Sequence, residues 1–119
     1  MTDKSYHDLV REAKTRVAEV TAGQSMQLMQ DHPGTVMVDC REPNEAALGA
    51  IPGSVVIPRG LLEQKIERVA QRDQKVIIYC AGGNRSALAA DTLREMGYKD
   101  VATMAGGFRA WVEAGGDVD

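Results

Sequence analysis

The chain has 119 residues, of which 44% are apolar and 26% charged, and a net charge of −3. That suffices for one domain around a single core and excludes the broad basic surface that binds nucleic acid or an anionic membrane. One Trp, one Phe and three Tyr are too few for a base-stacking platform, and no run approaches the ~18 apolar residues of a membrane span.

The opening stretch, MTDKSYHDLVREAKTRVAEV, mixes charges throughout and has no apolar run of the signal-peptide type, so a cytoplasmic location is expected. Residues 4–18 are expected to be helical, with Leu9, Ala13 and Val17 at steps of four. We read 1–18 as an N-terminal helical extension and 19–119 as the main domain. The apolar stripe of the extension suits packing on its own domain, or docking to a partner or a second copy, so a homo-oligomer is compatible with it.

A second short helix is expected over Gln24 to Gln30. HPG at 32–34 then breaks the chain, and TVMVDC reads as a buried strand. REPNEAAL suggests a turn into a short helix closed by Gly49, and IPGSVVIP gives a turn and a second strand. Residues 60–72 are expected to form a helix with Leu62, Ile66 and Val69 inward. KVIIY is a strong strand, residues 86–96 a helix with Ala89, Leu93 and Met96 inward, and Gly97 its C-terminal stop. DVATM and FRAWVEA make a final strand and helix, with Phe108, Trp111 and Val112 on one face. Strands that alternate with helices and are continuously apolar predict an α/β domain, a parallel central sheet with helices on both faces. Sites in such sheets form at the carboxyl ends of the strands, so Asp39 and Cys40 at one end and Cys80 at another are candidates for one rim.

The two cysteines, Cys40 and Cys80, belong to no CxxC pair, and His7 and His32 lie far from both in sequence, so a zinc site has little support. The informative stretch is VIIYCAGGNRSALAADTLREMG, from Val76 to Gly97. Gly82 and Gly83 let the loop turn its N–H groups toward a common centre, and a helix beginning near Arg85 or Ser86 adds its free N–H groups and dipole. Around a sulfur, such a loop favours thiolate below the free value of about 8.5. Arg85 adds a charge able to hold a sulfur anion or an incoming oxyanion, and Ser86 is most simply an N-cap. The alternative is a buried, inert cysteine beside a plain turn. The coincidence of Cys, two Gly, Arg and Ser at one strand-to-helix junction favours the functional reading.

Four segments in order, VDCREPNEAALGAIPGS (38–54), IPRGLLE (57–63), VIIYCAGGNRSALAADTLREMGY (76–98) and MAGGFRAW (104–111), resemble the rhodanese-like sulfurtransferase family from about Glu19 onward. The resemblance implies that Cys80 is the nucleophile that becomes a persulfide and that Ala81, Gly82, Gly83, Asn84, Arg85 and Ser86 complete the substrate-binding loop. It implies that Asp39 sits close to that loop, that Arg41 and Glu42 are nearby charges of more structural character, and that Arg59 lines the pocket entrance. The implied reaction moves a sulfane sulfur from thiosulfate or a persulfide donor to cyanide, a small thiol or a thioredoxin-like acceptor, with neither metal nor organic cofactor. Two positions depart from the family pattern. Ala50 stands where a histidine is usual, which affects turn packing. Cys40 stands where valine is usual, either filling the core or acting as a resolving thiol.

Two other readings are available. Cysteine phosphatases and arsenate reductases place five residues between Cys and Arg, whereas four intervene here. A silent binding module is the other, and retention of Cys80 weighs against it.

Overall fold

The computed structural model of the chain describes residues 3–119; the first two residues of the 1–18 extension lie outside the described residues. The elements in chain order are α1 (Tyr6–Arg16), β1 (Ala18–Val20), α2 (Ala22–Asp31), β2 (Val36–Asp39), α3 (Pro43–Ala46), β3 (Val55–Val56), α4 (Leu62–Lys65), β4 (Lys75–Tyr79), α5 (Asn84–Glu95), β5 (Asp100–Met104) and α6 (Gly107–Glu113). The five strands form one all-parallel sheet in the order β1-β5-β4-β2-β3.

Helices cover both faces of this sheet, and the period-2 alternation of the strands sorts the core between them. Val38, Cys40, Val76, Ile78 and Cys80 pack with Leu62, Ile66, Ala89, Ala90 and Leu93 under α4 and α5. Met37, Ile77, Tyr79 and Met104 pack with Ala22 and Trp111 under α2 and α6. The chain leaves β2 toward β3 and leaves β4 toward β5, on opposite sides of the sheet. The carboxyl ends of β2 and β4 therefore flank a crevice where the strand order reverses, the usual place for a site in an open parallel sheet.

The elements depart from the sequence expectations where local signals are short. The helix expected through residue 18 ends at Arg16, and Ala18–Val20 becomes an edge strand paired with Ala102–Met104. Helix α2 starts at Ala22, before the expected Gln24, because Thr21 and Gln24 form a reciprocal capping box. The inward residues of α1 are Val10 and Ala13, while Leu9 is 45% exposed. This helix lies against α5, tied by the Arg16 guanidinium, which grips the Asp91 carboxylate at 2.7 and 3.0 Å. The helix expected over 60–72 is three short pieces: a 3-10 turn at Arg59–Leu61, then α4, then a 3-10 turn at Ile66–Arg68. Leu62 and Ile66 are fully buried as expected, but the Val69 and Ala70 amides both donate to the Ile66 carbonyl and tighten the turn. On α6 the buried ring is Trp111, and Val112 faces outward.

Without a histidine at position 50, the turn after α3 is held by other groups. The Tyr79 hydroxyl accepts from the Ile51 amide at 3.1 Å and donates to Asp39 Oδ2 at 2.9 Å. It also lies 3.0 Å from Ser54 Oγ. Because these groups are buried, removing the hydroxyl strands an N–H and shortens the carboxylate's supply of donors. Tyr79→Phe is expected to lower stability by about 1–3 kcal/mol, measured by urea unfolding; a change below a few tenths would mean that water replaces the hydroxyl.

Candidate active site

Strand β4 ends at Tyr79, and the next residue, Cys80, is 1% exposed and points to the α5 side of the sheet. Gly83 takes a left-handed conformation (φ +103°) as the N-cap of α5. That conformation is rarely open to a side-chain-bearing residue, and it turns the backbone back over the sulfur. The Gly83 amide donates to Cys80 Sγ at 3.1 Å and the Ser86 amide at 3.4 Å, and the Ser86 hydroxyl lies 3.5 Å from the sulfur. The first turn of α5 thus aims its free N–H groups at one atom. Ser86 is not the N-cap. It is the third residue of the helix, fully buried, with its hydroxyl also 2.8 Å from Thr103 Oγ1 on β5.

The outer side of the loop is held by α6. The Phe108 amide donates to the Cys80 carbonyl at 2.8 Å and the Arg109 amide to the Ala81 carbonyl at 3.3 Å. Gly107 lies so close that a Cβ there would meet the Cys80 carbonyl oxygen at 2.3 Å. The glycine pair of MAGGFRAW therefore builds one wall of the loop.

Cys40 stands beside Cys80. The parallel register pairs Val38 with Ile78 and Asp39 with Tyr79, and the Cys40 amide donates to the Tyr79 carbonyl at 2.9 Å. The two cysteines are free thiols on adjacent strand ends and the same face. Cys40 fills a core position, 1% exposed among Val38, Ile57 and Leu62.

The Cys80 thiol is held well below its ordinary range. The neighbouring Cys40 thiol is the largest cause, and Ser86, through its hydroxyl and its amide, and the Gly83 amide add to it; burial works the other way. Cys40 is pushed up by its contact with Cys80, by burial and by the Cys80 charge, so it stays a thiol.

Arg85 is paired with a carboxylate rather than free. Both of its terminal nitrogens donate to the Glu45 carboxylate, at 2.8 and 3.0 Å. Glu45 Oε1 also accepts from the Glu42 amide at 3.0 Å. Arg85, with the Glu42 amide, draws the Glu45 pKa down to about 2. Glu45 is the site residue that sequence reasoning missed; its only local trace is its position three residues after Glu42, at the start of a short helix.

The remaining expected residues divide by sheet face. Asp39 is fully buried and faces away from Cys80, where Arg41 Nε and Nη2 hold its carboxylate at 3.0 and 2.8 Å. Arg41 also donates to the Gly49 carbonyl at 2.7 Å, and its guanidinium lies 4.4 Å from the Phe108 ring centroid. These two residues brace the strand end and the α6 wall. Glu42 contributes its backbone amide. The Arg59 amide donates to the Cys40 carbonyl at 3.1 Å, but its guanidinium reaches Thr92 and Glu63, at 2.9 and 3.2 Å, far along α5 from the loop. It braces α4 against α5 instead of lining an entrance. Among the described residues, no group of three or more His, Cys, Asp or Glu side chains is placed to hold a metal ion, and no helix is long and apolar enough to cross a membrane.

This geometry agrees with comparisons to known proteins. The sequence profile of the Rhodanese-like domain matches residues 22–114, and the chain belongs to that family. It is 33% identical to a sulfurtransferase of Allochromatium vinosum, over 83% of this chain and 92% of that one. It is 36% identical to the thiosulfate sulfurtransferase GlpE of Pseudoalteromonas translucida, over 80% of this chain and 89% of the relative. Among solved structures, a protein of unknown function from Rhodopseudomonas palustris, described as a possible tyrosine phosphatase, superposes with a TM-score of 0.88. It shares 38% identity over 100% of this chain and 97% of that chain.

The lowered Cys80 pKa predicts that thiolate persists at neutral and mildly acidic pH and is lost only as the pH falls through the folded value. Ultraviolet absorption near 240 nm should show one thiolate at pH 7, absent in Cys80→Ser. Ser86→Ala should move the midpoint upward, because it removes one stabilising donor. A midpoint near 8.5 in the unmodified protein would contradict this.

Proposed function

We propose that the protein is a sulfurtransferase that carries a sulfane sulfur on Cys80. The observation that carries this reading is the buried Cys80 sulfur ringed by the amides of Gly83 and Ser86 and the Ser86 hydroxyl. Such a ring stabilises an anion on sulfur, which both the attacking thiolate and a persulfide require. The Cys80 thiolate attacks the outer sulfur of thiosulfate or of a persulfide. A new S–S bond forms, the donor's S–S bond breaks, and sulfite or a thiolate leaves with the electron pair. A second nucleophile, such as cyanide, a small thiol or a thioredoxin-like protein, then takes the outer sulfur and returns the thiolate to Cys80.

In this reading Asp39, Arg41 and Tyr79 keep the strand ends in register, and Cys40 serves as a protonated neighbour of the nucleophile. Phosphate-ester chemistry is supported less well. Four residues separate Cys80 from Arg85, and the guanidinium that would grip a phosphate is bonded to Glu45.

Intact mass spectrometry after incubation with thiosulfate, and in parallel with glutathione persulfide, tests the reading. A gain of one sulfur atom that requires Cys80, is absent in Cys80→Ser and is removed by cyanide is the expected result. No gain from either donor would overturn the sulfur-transfer reading and leave the loop as a binding site.

A further inference from the structure

Arg85 is the only charged residue in the loop from Ala81 to Ser86, and its guanidinium is already matched, two nitrogens to two oxygens, by Glu45. The pair is firmly placed from both sides. Arg85 is the second residue of α5, and Glu45 lies on α3 with a carboxylate oxygen bonded to the Glu42 amide. Both side chains are only about one-third exposed, at 35% and 32%. At the end of β2, Arg41 is committed to Asp39, and Arg109 lies on the opposite, α6 wall of the loop. On its α3 side the loop thus presents a neutralised ion pair where a free cation would favour a doubly charged donor. A dianion arriving at Cys80 meets the Cys80 thiolate and the Glu45 carboxylate, and the N–H donors that Arg85 has left after the two spent on Glu45 reach it from a guanidinium whose charge is already matched.

Resting on the sulfur-transfer reading above, we infer that Glu45 is a specificity-determining residue. By occupying Arg85 it turns the site away from dianionic thiosulfate and toward sulfur donors that carry a single negative charge at the reacting S–S bond. Glu45 touches neither the sulfur nor the bond that breaks; it acts through Arg85.

Two donors with the same reacting bond isolate the charge. Thiosulfate gives the Cys80 persulfide and sulfite; methanethiosulfonate, with one negative charge fewer, gives the same persulfide and methanesulfinate. In each, the Cys80 thiolate forms the new S–S bond and the S–S bond to the oxidised sulfur breaks, its electron pair leaving with sulfite or sulfinate. The quantity to follow is the ratio of kcat/KM for thiosulfate to that for methanethiosulfonate. Glu45→Gln should raise this ratio about tenfold, the size expected for removing one partly screened charge beside a doubly charged substrate. The gain should appear in the KM for thiosulfate more than in kcat, and it should shrink as salt is added. Glu45→Asp, which keeps the charge but not the two-point geometry, should leave the ratio close to that of the unmodified protein. A fall of both donors together, with the ratio unchanged, would show that Glu45 only scaffolds the loop and would overturn this inference alone. Failure of both donors to load Cys80 in the unmodified protein would overturn the sulfur-transfer reading and this inference with it.

Discussion

The parallel pairing of β2 with β4 is the constraint from which the site follows. It brings the carboxyl ends of two strands to one rim at a point where their onward connections diverge. Strand alternation then assigns each residue a side. Cys40 and Cys80 fall on the α5 face, and Asp39 and Tyr79 fall on the other. A register slip of one residue would exchange these sets and aim the thiol away from the helix dipole. The buried Asp39–Arg41 pair and the Tyr79 hydroxyl stand where that slip would begin, and they tie the strand ends to the turn at Gly49–Ile51.

Two opposed effects set the state of Cys80. Burial disfavours a charge on sulfur, and without compensation the thiol would be inert. Donors outweigh burial here because they converge on one atom from a fixed backbone: two amides of the first helical turn, a hydroxyl held by Thr103, and the adjacent thiol. None requires a flexible surface side chain to be ordered before charge can rest on the sulfur, which is the economy of a preorganised site. The same donors account for the opposite fate of Cys40. Lying beside a stabilised thiolate in an apolar core, it keeps its proton.

Much of the fold was legible in the sequence because its signals are local. The apolar runs within TVMVDC, KVIIY and DVATM are short and continuous, and the glycines at 82–83 mark the turn into α5. Strand β1 was not legible: Ala-Glu-Val carries no apolar run, and its strand character comes from pairing with Ala102–Met104. The ringed thiol, its loop and the shared rim could be read from a cysteine at a strand end followed by glycines. The roles of Arg85, Ser86 and Arg59 could not. Each depends on a partner distant in the chain, namely Glu45, Thr103 and Thr92. A sequence displays two charges or two hydroxyls without displaying that they meet. The helix start was misplaced for a related reason, since the left-handed turn at Gly83, rather than a capping side chain, decides it.

The pairing of β1 with β5 also bears on how the chain reaches this structure. Ala18–Val20 finds its partner only at Ala102–Met104, and the loop around Cys80 is walled by residues that follow β5. These are contacts of long sequence separation, whose loop-closure entropy is met before they contribute stability. During synthesis the strand bearing the thiol emerges before β5 and α6 do, so the loop has no outer wall and Ser86 no Thr103 to hold it until most of the domain has left the ribosome. A nascent chain would carry Cys80 as an ordinary thiol, and its lowered pKa would arise only when the fold closes.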